Sequence, residues 1–299
     1  MAAGEHDRGG EDARSHLTGE IVVDAHQHFW ALRRFSYPWI TPDLAVLRRD
    51  YLPEDLLPEI TAAGVDRTVL VQACSSVQEA HWLLDLAGEQ PFIAGVVGWA
   101  DLASPEIEHT LDDLVARPGF VGVRYPLYDG VDDPGDPWSP RPDVLVGLRA
   151  LAARGLTYDL LLGLQHLRHV PALAEAVPEL RMVVDHLAKP RIAAREIDQW
   201  SDDLAAVAAY PNVYCKLSGM VTEAEPGAWT PTDLRPYVTT ARHLFGPERV
   251  MFGSDWPVCR LAATYSQTLD ALLAACSPLT PGDQARLLGR NARAFYRLP

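Results

Sequence analysis

Eight short apolar runs, rich in β-branched and aromatic residues, punctuate the chain: IVVDAHQHFW, DRTVLVQAC, FIAGVVGWADL, FVGVRYPL, GLTYDLLLG, LRMVVDHLAKP, NVYCKLSGM and VMFGSDWPVC. Each reads as a buried strand. The stretches between them carry helix signals: PEDLLPEITAAG opens on Pro and acids and closes on Gly, and VQEAHWLLDLAGE spaces its apolar residues three and four apart. Strand followed by helix, repeated throughout, predicts parallel strands joined by crossover helices. Eight such units over roughly 250 residues match a closed (β/α)8 barrel, the TIM barrel, better than an open doubly wound sheet. No composition shift marks a second domain, so residues 21–299 are expected to form one unit. Residues 1–20 are charged and Gly-rich with no apolar core, which predicts a disordered leader and no secretory signal. Two long irregular segments, 29–52 and 126–142, come after strand ends and are expected to cover the barrel mouth.

Composition narrows the partners. With 299 residues, 48% of them hydrophobic, the chain can bury a large core. A formal net charge of −14 without any Lys/Arg block argues against nucleic acid and against an anionic membrane surface. No apolar stretch has membrane length. Four scattered cysteines, Cys74, Cys215, Cys259 and Cys276, lie mostly in apolar runs without C-x-x-C spacing, which fits reduced thiols and a cytoplasmic protein.

The polar residues that close the strands change the picture most. His26 and His28 are two apart, so in a strand they share a face, and at the C-terminal end of a barrel strand that face is the mouth. With 10 histidines in the chain, an H-x-H pair carries little by itself. Its company carries more: His186 ends the sixth run, Asp255 the eighth, and Gln72, Trp99, Arg124, Asp159 and Lys216 with Ser218 end the others. Burying Arg124 and Lys216 in apolar strands costs several kcal/mol each unless they are paired, so both are expected to face a polar pocket. Trp30, Trp39, Trp99, Tyr125 and Trp256 lie at or just after strand ends, where aromatic faces suit a hydroxyl-rich ring, and Gln72 and Lys189 are further candidate substrate contacts. Trp82, Trp138, Trp200 and Trp229 fall in helical or loop stretches and read as packing or surface residues.

The H-x-H closing the first strand, the single His closing the sixth and the Asp closing the eighth resemble the amidohydrolase superfamily. More narrowly, VDAHQHFW, YPWI, LRRDYLPEDL, AAGVDRTVLVQA, AGVVGWADL, VVDHLAKP, CKLSGM and MFGSDWPV resemble its sugar-lactone hydrolase branch, the L-fuconolactonase and L-rhamnonolactonase type, over residues 20–297. The resemblance implies a (β/α)8 barrel that opens a sugar lactone to its aldonic acid. It implies that His26, His28, His186 and Asp255 form the catalytic inner shell, with Asp255 handling the proton. The same four residues would hold one divalent ion, zinc above others, or act without any metal. TYDLLLG has no His and FVGVRYPL offers Arg124 where two-metal relatives place a bridging Lys or Glu, so a binuclear centre is not expected. His166 and His169 in LQHLRHV are read as surface histidines. Two rival functions stand beside this one: a metal-dependent decarboxylase or hydrolase of an aromatic acid in the same superfamily, and a barrel that only binds a sugar.

Overall fold

The computed structural model describes residues 19–126 and 141–299. Its eight strands are β1 (Val23–Gln27), β2 (Arg67–Val71), β3 (Ile93–Gly98), β4 (Phe120–Val123), β5 (Thr157–Leu160), β6 (Arg181–Val184), β7 (Val213–Leu217) and β8 (Val250–Phe252). Each falls inside one of the eight apolar runs, and all neighbours from β1 to β8 pair in parallel, in sequence order. Main-chain bonds just past the strand ends close the circle: Asp255 N donates to His26 O (2.9 Å) and His28 N to Trp256 O (2.7 Å). The chain is a single-domain (β/α)8 barrel.

The helices between strands bear out the punctuation in the sequence. Helix α1 (Pro53–Ala63) begins on a proline and ends at Gly64, whose φ of 69° is the left-handed cap that glycine adopts without a Cβ penalty. Helix α2 (Val77–Glu89) is capped by Ser76, whose hydroxyl accepts from Glu79 N. Helices α3 (Ile107–Val115), α4 (Pro142–Ala153), α5 (Val170–Ala176) and α6 (Asp198–Ala208) come after β3 to β6 in turn. A single turn, α7 (Met220–Glu223), and then α8 (Pro231–Phe245) come after β7, and α9 (Tyr265–Cys276) after β8. No described helix is long and apolar enough to cross a membrane. All four cysteines are free thiols.

Two apolar layers result. The outward faces of the strands, with residues such as Leu70, Val96, Val184, Cys215 and Phe252, pack under the helices. The inward faces form a smaller cluster of Val23, Ala25, Val69, Val71, Val97, Val183 and Met251, closed by Phe295, Tyr296 and Leu298 from the C-terminus. Arg181, which opens β6, donates to Phe295 O, so the C-terminal segment plugs the N-terminal end of the barrel. The opposite end is left for a site.

Of the segments expected at the mouth, 29–52 supplies Phe35, Ser36, Pro38, Trp39 and Leu44 to the wall of the cavity there. Most of 126–142 lies outside the described residues, as does Trp138.

Candidate functional site

The strict two-residue alternation that places His26 and His28 together does not run the length of β1. Its register against β2 shifts between Asp24 and Gln27, so Ala25 packs in the inner cluster and His26, its neighbour, also meets interior groups. His28 lies one residue past the strand, held by its main-chain bond to Trp256 O and by its ring, whose Nδ1 lies 2.8 Å from Val71 O. A carbonyl only accepts, so this nitrogen carries the proton and Nε2 presents its lone pair inward. It faces His26 Nε2 at 3.1 Å and Asp255 Oδ1 at 3.4 Å.

Asp255 sits in a turn with a left-handed φ of 56°. Buried Asp24 clamps that turn to β1: its Oδ1 accepts from His26 N (3.0 Å) and Ser254 N (2.8 Å), its Oδ2 from Tyr265 Oη (2.9 Å). The Asp255 carboxylate thereby reaches His26 Nε2 at 3.8 Å and His186 Nε2 at 3.9 Å as well as His28. Burial pushes its pKa up, but His186, His28 and His26 together outweigh burial and hold it below the ordinary carboxylate value. Burial lowers the His186 pKa to about 4 and pushes that of His26 well below the ordinary imidazole value, so both rings are neutral and Asp255 is ionised at neutral pH.

His186 opens an unusual element. Residues His186, Leu187, Ala188 and Lys189 have φ values of 54°, 53°, 57° and 54°, one turn of left-handed helix without a glycine. Such backbone costs about 1–2 kcal/mol per residue and persists only where the surroundings enforce it. Here Trp200 Nε1 donates to Leu187 O (2.7 Å), Lys189 N to His186 O (2.8 Å), and Leu187 and Ala188 are buried. The turn points His186 and Lys189 into the same cavity. The His186 ring is fixed through Nδ1 by Ser218 Oγ at 2.9 Å, and Gly219 (φ 63°) leaves it room, since a Cβ there would lie 2.8 Å from Nδ1.

Beneath the histidines lies a buried charge cluster. Lys216 Nζ donates to Asp159 Oδ2 (2.6 Å), lies 3.0 Å from Asp185 Oδ1, and approaches His26 Nδ1 at 3.0 Å. Arg124 donates through Nη1 to Asp185 Oδ2 (3.4 Å) and through Nη2 to Gln72 O, while Gln72 Nε2 donates to Arg124 O (3.1 Å). Lys216 is fully buried and does not line the cavity, so it supports His26 where the sequence suggested a substrate contact. Four aromatic candidates likewise stand outside the residues that line the cavity. Trp30 and Trp256 are fully buried and pack around Tyr51 behind the wall. Trp99 and Tyr125 stack on each other at 6.1 Å and stand outside the residues that line the cavity.

The cavity itself has a volume of about 1130 Å³. Its polar floor is His28, Gln72, Arg124, His186 and Asp255; Phe35, Trp39, Leu44, Val258 and Leu261 form an apolar wall. His26 lies below that floor, in contact with it. Lys189, Thr222 and Glu223 line it too. His166 and His169 are half-buried and join neither of the described groups whose ligand atoms could converge on a cation.

Three residues important to this geometry carry weak signals or none in the sequence. Asp185 is visible only as the neighbour of His186 in VVDHLAKP. Asp24 reads as one more strand residue, and Glu223 ends an ordinary helical stretch, so neither stands out along the chain.

The ligand atoms of His26, His28 and Asp255 converge, as do those of His26, Asp185 and His186. Two acceptors facing each other, His28 Nε2 and Asp255 Oδ1, favour a shared proton or a cation between them. Donor-only groups meet both ring nitrogens of His26, Lys216 Nζ at Nδ1 (3.0 Å) and Arg124 Nη1 at Nε2 (3.4 Å); for His26 to ligate through Nε2, Nδ1 must instead donate to a carboxylate. Asp185 Oδ1, ion-paired with Lys216 Nζ at 3.0 Å and 3.4 Å from Nδ1, is placed to accept that bond. The residues fit one metal ion.

A family model described as "Amidohydrolase" matches residues 23–298. An L-fucono-1,5-lactonase from Burkholderia ambifaria is 40% identical over 283 residues, 92% of this chain and 95% of that protein. An L-fucono-1,5-lactonase from Burkholderia multivorans is 36% identical over 94% of this chain and 97% of its own length. A crystal structure of an amidohydrolase from Burkholderia multivorans with bound zinc superposes with a TM-score of 0.84 at 37% identity, covering 94% of this chain and all of that one.

Proposed function

Because this chain belongs to the amidohydrolase family, we propose that it is a sugar-lactone hydrolase, opening a lactone of the L-fucono-1,5-lactone type to the aldonic acid. The observation that carries the reading is an ionised Asp255 facing three histidines on the floor of a cavity that pairs polar groups with an apolar wall. Such a floor provides a base for water, and such a wall takes the apolar face of a sugar ring.

Asp255 removes a proton from water as its oxygen attacks the lactone carbonyl. Neutral His186 and the Arg124 guanidinium are the groups that meet the growing negative charge on the carbonyl oxygen. When the tetrahedral intermediate collapses, the C–O bond of the ring breaks and Asp255 returns its proton to the departing ring oxygen. The new carboxylic acid then ionises and releases one proton per ring opened. Gln72, whose amide is anchored on Arg124 O, and Trp39, whose Nε1 is held by Ala73 O (2.8 Å), orient the ring. His26, His28, His186 and Asp255 would hold one divalent ion such as zinc, which when bound supplies Lewis-acid polarisation of the carbonyl and a more acidic water.

The test is a pH-indicator screen of aldonolactones against the wild type and Asp255→Asn. L-Fucono-1,5-lactone or L-rhamnonolactone should release one proton per ring, and the Asn variant should lose about 10²–10⁴-fold in kcat while its melting temperature stays near wild type. A folded Asn variant with wild-type turnover would overturn the role of Asp255. Carbon dioxide release from an aromatic acid would favour the decarboxylase reading instead.

A further inference from the structure

Lys189 and Glu223 are the two charged side chains of the cavity that the reaction above leaves unused. They belong to different elements: Lys189 ends the left-handed turn after β6, and Glu223 ends α7 after β7. Among the described residues neither side chain has a hydrogen-bond or ion-pair partner, and both line the cavity, Lys189 exposed at its edge and Glu223 half-buried. They feel each other without closing into a bridge. Burial raises the Glu223 pKa, Lys189 opposes that rise, and Asp255 adds to it.

Withdrawing a carboxylate from water without a partner is costly, and a protein that keeps one on a cavity wall gains from a ligand that supplies donors. The backbone strain points the same way. A left-handed turn is held in place by Trp200 and by burial of Leu187 and Ala188, and its outcome is that Lys189 shares the cavity with His186. A packing role for Lys189 would not need that direction.

We propose that Lys189 and Glu223 form a split hydroxyl-binding pair that sets the preference of this site for a polyhydroxylated, uncharged ring, the ammonium donating to ring hydroxyl oxygens and the carboxylate accepting their protons. The pair stays open because a direct salt bridge would spend the groups meant for the substrate. A cation and an anion in one cavity lining also cancel in charge, leaving this pair nothing to attract a carboxylated ring. This inference rests on the lactonase reading and names what selects the substrate within it.

The experiment compares kcat/KM for L-fucono-1,5-lactone with kcat/KM for δ-valerolactone, which has the ring ester and no hydroxyls. It is run on the wild type, Glu223→Gln and Lys189→Met. General damage to the fold lowers both values and cancels in their ratio. The ratio should fall at least about ten-fold in each variant, the loss expected for a hydrogen bond to a charged group, with the change mainly in KM. A ratio within two-fold of wild type in both variants overturns the pair while leaving the lactonase reading intact. A fall in only one variant overturns the paired arrangement. A wild type that opens neither lactone overturns the functional reading and this inference with it.

Discussion

Asp24 shows how much one side chain governs without touching the cavity. It ties the first strand to the turn that carries Asp255 by accepting from His26 N, Ser254 N and Tyr265 Oη. Burial is the largest influence on its pKa and raises it from 3.8 to about 6 despite those hydrogen bonds. The folded protein therefore holds this proton more tightly than the unfolded chain. Its stabilising effect is complete below pH 3.8 and is lost as pH rises through about 6. Asp24→Asn keeps a neutral acceptor at every pH. Urea unfolding from pH 4 to 7 should thus show wild-type stability declining relative to the variant by about 2 kcal/mol. A constant difference across that range would mean that Asp24 titrates alike in both states.

At the scale of the element, the loops after β6, β7 and β8 matter more than the strands. The strands end early: β6 stops at Val184 and β8 at Phe252, two and three residues before His186 and Asp255. Beyond those ends the backbone turns to φ near 55° at His186 and Asp255, geometry that aims each side chain back over the barrel. Gly219, just past β7, also has a positive φ of 63°, and its neighbour is the His186 ring. Gly219→Ala should combine the φ penalty of about 1 kcal/mol with displacement of that ring. The expected result is a fall in kcat/KM of about ten-fold or more, with a melting temperature a few degrees lower. Steady-state kinetics beside a thermal melt checks this, and an unaffected kcat/KM would show that His186 does not act in the reaction.

Across the whole molecule, one chain of polar contacts links the plugged end of the barrel to its mouth. Tyr296 Oη donates to Asp159 Oδ2 (2.7 Å), Lys216 donates to the same oxygen, and Lys216 meets His26, which meets His28. The C-terminus thus completes the pairing that lets a lysine and two aspartates be buried together. Such a cluster is retained only with its partners present, because removing one leaves charge uncompensated. Tyr296→Phe takes away one of the two donors to Asp159 and should lower the unfolding free energy by about 1–3 kcal/mol in urea. No loss would show that Asp159 is satisfied without the C-terminus.

The eight apolar runs, their alternation with capped helices, and the polar residue closing each run are all legible in the sequence, because strand burial and helix capping are local rules written in adjacent residues. His26, His28, His186 and Asp255 can be named for the same reason: each terminates a local pattern. Whether a strand-end group faces the cavity is a different kind of fact. Lys216 and Arg124 look alike in their runs, yet Lys216 is sealed beneath His26 by Asp159 and Asp185, while Arg124 reaches the cavity floor. Trp30 and Trp256 look like ring-contacting aromatics and are packed behind the wall. Asp24, Asp185 and Glu223 gain their importance from partners or a cavity assembled from distant parts of the chain. Barrel closure and strand register brought those parts together. A linear pattern encodes which face a residue prefers, but the identity of its neighbours there is set by the packing of the other seven strands.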